Sequence, residues 1–292
     1  MAYHSPFEPL QSAYRLLGIE RMQYSGSLEN TLFQLESIAS AKEWTTTDYA
    51  DFVLHPPRVI RAVVNQKIQF PEHQLEDVVQ KAIAYALRAY QEPQKLRAAT
   101  QAFREYLQTT THEKMLLSTS ISQRHDSTTW DASAPHLSQA SALRLAQETK
   151  KADVLFIALG HGSVAAGMDV YLQATQRRKR NSLFYVVRFS TDKHSDISPH
   201  VSVREADFLR KEAERKPIVL FDEDVSSGET MGEAYEFFSD IFDEKDLILL
   251  TNYDISGELE KLKKKIKRRL ERVNTPQSCS STYATISADS PR

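Results

Sequence analysis

The apolar positions follow two patterns, one for each half of the chain. In the first half they recur at helical spacing. Leu28, Leu32, Leu35 and Ile38 form one stripe, and Ser27 stands where an N-cap is expected. Pro71 opens a longer stripe through Leu75, Val78, Val79, Ala82, Ile83, Ala86 and Leu87, since proline is well tolerated at a first helical position. Pro93 interrupts it, and Leu96, Ala99, Phe103 and Leu107 resume beyond. Asp48 and Asp51, near Trp44 and Tyr49, read as helix surface and cap. Residues 1–117 are therefore expected to form a helical region. "STSISQRHDSTTWDASAP", Ser118 to Pro135, is polar and aperiodic, which predicts a linker or loop over 118–136.

The second half carries short, nearly continuous apolar runs: "DVLFIALG", "LFYVVRFS", "IVLFDED" and "DLILLTN". Helix-length segments separate them, Val164–Arg177, Val203–Arg215 and Glu229–Phe242. Continuous apolarity indicates strands covered on both faces. Strand–helix alternation predicts an α/β fold with a doubly wound parallel sheet over 137–256. After Gly257 a basic amphipathic helix is expected over 257–273, with Leu259, Leu262, Ile266, Leu270 and Val273 on one stripe and lysines and arginines on the other faces. The Ser/Thr-rich tail, 274–292, is expected to be disordered.

Composition changes this picture little. The net charge of −2 gives no global attraction to nucleic acid, so any such partner would have to use the basic helix at 258–272. Cys279 is the single cysteine, which rules out a disulfide within one chain and fits a cytoplasmic location. No apolar run reaches transmembrane length, and the N-terminus lacks the pattern of a signal peptide. His125, His136, His194 and His200 have no ligand spacing, so no histidine metal site is predicted.

Chemistry concentrates in "PIVLFDEDVSSGETM", Pro217 to Met231. Ligands of open parallel sheets lie beyond the carboxyl ends of strands. Asp222, Glu223 and Asp224 fall at such an end, followed by Ser226, Ser227, Gly228, Glu229 and Thr230 at the start of a helix. Amides and hydroxyls there can cradle a phosphate, and Gly228 lets the loop close round it. Carboxylates would repel that phosphate, but they suit sugar hydroxyls or a Mg²⁺-bound sugar. The two together describe a ribose 5-phosphate site. A helix cap alone would not need three acids. Gly160, His161, Gly162 and Ser163 form a second tight turn after a strand, and Arg188, Lys193, His194 and Arg204 are candidate cations over the site.

Residues 218–230 resemble the phosphoribosyl pyrophosphate motif of type I phosphoribosyltransferases: four apolar residues, two acids, two spacers and a hydroxyl-rich glycine loop. The resemblance extends over roughly Asp153 to Asn252. It implies that Asp222 and Glu223 hold the ribose and Mg²⁺, that Ser226 to Thr230 hold the 5-phosphate, and that the 160–163 loop and Arg188 take pyrophosphate. There are departures. Asp224 stands at a normally apolar position, Glu229 replaces a common second glycine and is expected to point outward, and His161 replaces a permanent cation. The acidic motif is similar to that of a divergent branch found near bacterial stress genes. Three functions compete: a transferase acting at ribose C1, an antiphage or toxin effector of the retron-associated type under control of a nucleic-acid or protein partner, and a non-catalytic ligand-binding regulator. A homo-oligomer is also compatible with this reading.

Overall fold

The computed structural model describes residues 3–10, 20–124, 126–150, 152–160, 162–175, 181–189, 199–242 and 247–274, with backbone alone from 269 onward. His125, His161, Lys193, His194, Cys279 and the tail from 275 lie outside the described residues.

The first half is helical. Helix α1, Leu28–Ser40, is capped by Ser27, whose side chain accepts from the Asn30 amide at 3.1 Å. Helix α2, Thr46–Gln69, starts with a Thr45/Asp48 capping box. Most of α2 is buried, and it contains Pro56 and Pro57. A proline removes the N–H that would have bonded the carbonyl four residues earlier. Pro57 thus deprives the Val53 carbonyl, and the Tyr90 hydroxyl donates to that oxygen instead. Tyr90→Phe should cost about 1–3 kcal/mol in urea denaturation, because the buried carbonyl loses its donor. Helix α3, Glu76–Gln91, begins later than Pro71. Pro71–His73 form a separate 3₁₀ turn, closed by Gln74 at φ 50° in the left-handed region. Another 3₁₀ turn at Pro93–Lys95 leads into α4, Leu96–Gln108, and α5, Glu113–Leu117, follows.

The segment expected as a linker is structured. Strand β2, Ser120–Gln123, pairs antiparallel with β1, Tyr24–Ser27. Both strands are polar, with Ile121 the buried side chain of β2, so the pairing rests on main-chain bonds that hydropathy does not reveal. Short helix α6, Ser127–Ala132, is capped by Asp126, which accepts from the Thr129 amide at 3.0 Å. Helix α7, Pro135–Glu148, has proline in its first turn.

The four apolar runs become four parallel strands: β3, Leu155–Leu159; β4, Leu183–Val187; β5, Ile218–Val225; and β6, Leu247–Asp254. Their order is β4-β3-β5-β6. Helix α8, Ser163–Thr175, packs close on one face, where Gly167 would place a Cβ 3.1 Å from Phe221 and 3.3 Å from Ala158. Tyr185 faces the other side, against Phe208 of α9, Val203–Ala213. Helix α10, Glu229–Ile241, joins Phe237 and Phe238 to Phe189. Helix α11, Glu258–Asn274, packs Leu259, Leu262 and Ile266 inward, so its apolar stripe is covered by this same chain as far as Ile266.

The N-terminal helices share the sheet's core, which runs without a break from Phe7 to Leu259. Polar ties reinforce the contact. Tyr3 and Ser5 donate to Asp169 of α8 at 2.8 and 3.0 Å, Lys67 of α2 meets Glu205 of α9 at 2.6 Å, and Ser202 donates to Glu76 of α3 at 2.8 Å. Among the described residues, no helix is long and apolar enough to cross a membrane.

Candidate functional site

Strand pairing positions the acids. Strand β3 pairs with β5 only as far as Ala158 opposite Phe221. On its other flank β5 runs on beside β6 to Val225 opposite Asp254. Asp222, Glu223 and Asp224 therefore lie within an extended strand beyond its last pair with β3. The strand order also reverses here, between β3 and β5, and such a reversal leaves a crevice at the carboxyl ends.

The glycine turn after β3 forms the opposite wall. Gly160 has φ +73° and donates its N–H to the Val187 carbonyl at 2.8 Å. A Cβ there would lie 2.7 Å from the Phe189 carbonyl oxygen, so only glycine fits. Gly162 faces Glu223 directly, and a Cβ on it would come 2.6 Å from Glu223 Cδ. Ser163 is buried, and its hydroxyl donates to the carbonyls of Leu159 and Gly160. That hydroxyl closes the turn and is spent on it.

Glu223 is 6% exposed. Its Oε1 accepts from Thr129 Oγ1 of α6 at 3.0 Å, and its Oε2 has no hydrogen-bond partner among the described residues. Burial, with the charge of Asp224 added, pushes its carboxyl up to about 7. Burial and the neighbouring Glu223 hold Asp222 well above the usual carboxylate range. Asp224 is half-buried and raised as well, by burial and then by the charge of Asp126. Three carboxyls are thus crowded where they cannot all ionise easily.

The phosphate-loop residues follow at once. Ser226 and Ser227 are exposed, and Gly228 takes φ +78° to start α10. Glu229 points to solvent as expected, while its amide donates to Ser227 Oγ at 3.3 Å. The first turn of α10 therefore presents helix N-terminal amides beside two hydroxyls. Glu258 lies next to Gly228, but its carboxylate is engaged by Lys261 at 2.7 Å.

Of the candidate cations, Arg188 follows β4 directly and is half-buried. It lies close enough to Arg61 of α2 to disfavour that residue's charge. Arg204 is turned away, 3.7 Å from Asp77 of α3. Two site residues escape a reading by motif: Arg61, which is 9% exposed and electrostatically coupled to Glu223, and Thr129. Arg61 sits in the apolar stretch "VLHPPRVIRAVV", where a charge signals a buried partner. Thr129 gives no such signal.

Arg61, Thr129 and Gly162 line a cavity of ≈ 20 Å³ with Phe7, Met22 and Trp130, room for about one water. Among the described residues, no group of three or more His, Cys, Asp or Glu is placed to hold a metal ion by itself. Comparison with known proteins gives no match among family models, curated proteins or solved structures.

Proposed function

We propose that this protein binds phosphoribosyl pyrophosphate with Mg²⁺ and acts as a phosphoribosyltransferase-type enzyme at ribose C1. The observation that carries the reading is the acid pair Asp222–Glu223, which lies beyond the last β3 pair, has Glu223 facing Gly162 and leads straight into the Ser226–Thr230 helix start. In this reading the four-strand sheet is the core of a doubly wound phosphoribosyltransferase-like fold. The carboxylates suit the ribose hydroxyls, and the α10 amides with Ser226, Ser227 and Thr230 suit the 5-phosphate. The turn after β3 and Arg188 suit pyrophosphate.

The residues present fit Mg²⁺. This ion usually takes one or two carboxylates and completes its shell with substrate oxygens and water. Asp222 and Glu223 supply two crowded carboxyls, and Glu223 Oε2 lacks a protein donor among the described residues. Bound there, Mg²⁺ would neutralise charge on the departing pyrophosphate. The chain's own contribution is to hold C1 in line between the leaving group and a nitrogen nucleophile.

Phosphoribosyl pyrophosphate with Mg²⁺ should raise the melting temperature, because a ligand that binds only the folded state stabilises it. No shift at millimolar ligand would count against the assignment. Pyrophosphate release with a panel of nitrogenous bases then separates a transferase from a non-catalytic binder.

Gly162→Ala offers a sharper local test. The added methyl forces the Glu223 carboxyl aside, which a flexible side chain tolerates. The fold should survive while affinity for the Mg²⁺-bound ligand falls on the order of tenfold, as when a metal ligand loses its orientation.

A second reading, the partner-controlled effector, has its own observation. Leu54, Pro57 and Arg61 of helix α2 line the ≈ 20 Å³ cavity together with Thr129 and Gly162, so α2 stands against the glycine turn. Such an effector is restrained until α2 yields. Its basic surface, with Lys264, Lys265, Lys267 and Arg268 exposed on α11, suits a nucleic-acid partner. Growth arrest on expression, relieved by the double change Asp222→Ala/Glu223→Ala, would favour this reading; normal growth would remove it.

A further inference from the structure

The helical half holds a second and far larger opening. A cleft of ≈ 580 Å³ lies between the end of α1, the start of α2 and the 3₁₀ turn that leads into α4. Lys42, Glu43, Trp44, Tyr49, Gln94 and Arg97 line it. That volume falls in the range of small-molecule sites. None of its lining residues lines the small cavity at Gly162. Tyr49 and Arg61 stand twelve residues apart on α2, about 18 Å along a helix. The cleft is therefore separate from the acid pair.

Its wall is aromatic and braced from the core side. The Trp44 indole is half-buried, with the Tyr49 ring at 5.1 Å in an edge arrangement and the Phe52 ring at 4.9 Å, tilted. Neither ring is stacked on it. Among the described residues, the indole N–H and the Tyr49 hydroxyl make no hydrogen bond. Lys42 and Arg97 are exposed and form no ion pair among the described residues. The acids close to them in sequence are already engaged. Glu36 is held by Arg104 at 3.0 Å, Glu92 by Lys95 at 2.9 Å and Arg88 at 3.2 Å, Asp51 by Arg21 at 2.9 Å, and Asp48 by the Thr45 cap. Glu43 remains, so the lining carries two positive charges against one negative.

A half-buried indole with no ring stacked on it suits a planar aromatic ligand, and the larger the ring the more surface is removed from water. The two cations suit phosphate oxygens. Gln94 and Glu43 bring an amide and a carboxylate, groups that hydrogen-bond base edges. We propose that this cleft is a second ligand site, which takes a purine nucleoside phosphate with the base stacked on Trp44 and the phosphates held by Lys42 and Arg97. It goes beyond the proposed function and does not depend on it.

The chain has two tryptophans, and Trp130 is 1% exposed, so quenching by contact reports on Trp44. Tryptophan fluorescence of the full-length chain is titrated with ATP, GTP, adenosine and inorganic triphosphate, corrected for nucleotide absorbance, with calorimetry in parallel. ATP or GTP should quench and saturate. Adenosine and triphosphate should each bind at least about tenfold more weakly, because each supplies only the stacking or only the charge. Arg97→Met and Lys42→Met, both at exposed positions, should each weaken nucleotide binding by roughly tenfold. By calorimetry, Trp44→Leu should remove the advantage of ATP over triphosphate. If Trp44→Leu does not fold, the two cation variants decide. The double change Asp222→Asn/Glu223→Gln should leave the quench unchanged. No saturable binding of ATP or GTP, equal affinity for triphosphate, unchanged affinity in both cation variants, or loss of the quench in the acid-pair variant overturns the second site. The proposed function is decided separately, by phosphoribosyl pyrophosphate.

Discussion

Replacing Lys67 with methionine should destabilise the protein by about 3–5 kcal/mol, the range for breaking a buried ion pair. Lys67 Nζ lies 2.6 Å from both oxygens of Glu205, with side-chain exposures of 10% and 2%. Tyr185 donates to the same carboxylate at 2.6 Å and the Ser202 amide at 2.9 Å. With Lys67 gone, those two donors remain but the buried charge has no counter-ion. The pair joins the N-terminal helices to α9, so its loss should loosen the two halves together. Urea denaturation measures the cost. Adding Glu205→Gln should recover much of it, because the uncompensated charge leaves as well. A loss below about 1 kcal/mol for Lys67→Met would show the contact to be a screened surface pair.

The double change Asp222→Asn/Glu223→Gln should reduce Mg²⁺-dependent phosphoribosyl pyrophosphate binding by about a hundredfold or more, since each hydrogen bond to a charged group contributes about 1.5–3 kcal/mol. Its effect on stability should have the opposite sign as pH rises. Both carboxyls are raised above their unfolded values, Glu223 to about 7. A raised carboxyl contributes stability that is fully present below its unfolded value of about 4.5 and is lost as pH rises through the folded value. The amides do not titrate. The variant should therefore gain on the wild type by about 1–2 kcal/mol between pH 6 and pH 8. Ligand affinity of the wild type should rise over that same interval, because Mg²⁺ needs the ionised pair. An acid pair that lowers stability where it increases affinity is the pattern expected of a functional site rather than of a structural one.

The sheet was legible in the sequence and the roof over it was not. "LFIAL" in β3 reads as a strand because all five residues are buried on both faces, which leaves a continuous apolar run. Ser27 reads as a cap because a hydroxyl before an apolar stripe has few other uses. Strand β2 is hidden, since its pairing with β1 satisfies main-chain groups and leaves alternate polar side chains exposed. The late start of α3 is hidden too, because Gln74 takes a left-handed conformation that its side chain does not announce.

The same division holds within the site. Asp222, Glu223 and the Ser226–Thr230 turn are contiguous, so their order and spacing carry the signal. Thr129 reaches Glu223, and Arg61 feels its charge, through long-range packing of α6 and α2 that no local pattern encodes. Asp224 gains a partial account: it feels the charge of Asp126, the cap of α6, and shares in raising the charge density around Glu223. Arg204 shows the reverse, a cation near the site in sequence that is turned toward Asp77.

The most direct test of the central claim is calorimetric titration of the wild-type chain with phosphoribosyl pyrophosphate at pH 8, with and without Mg²⁺, beside Asp222→Asn/Glu223→Gln. Saturable binding by the wild type that needs Mg²⁺ and disappears in the double variant is the predicted result. No binding with Mg²⁺ present, or equal binding by the two proteins, would contradict the assignment of this crevice as a phosphoribosyl site.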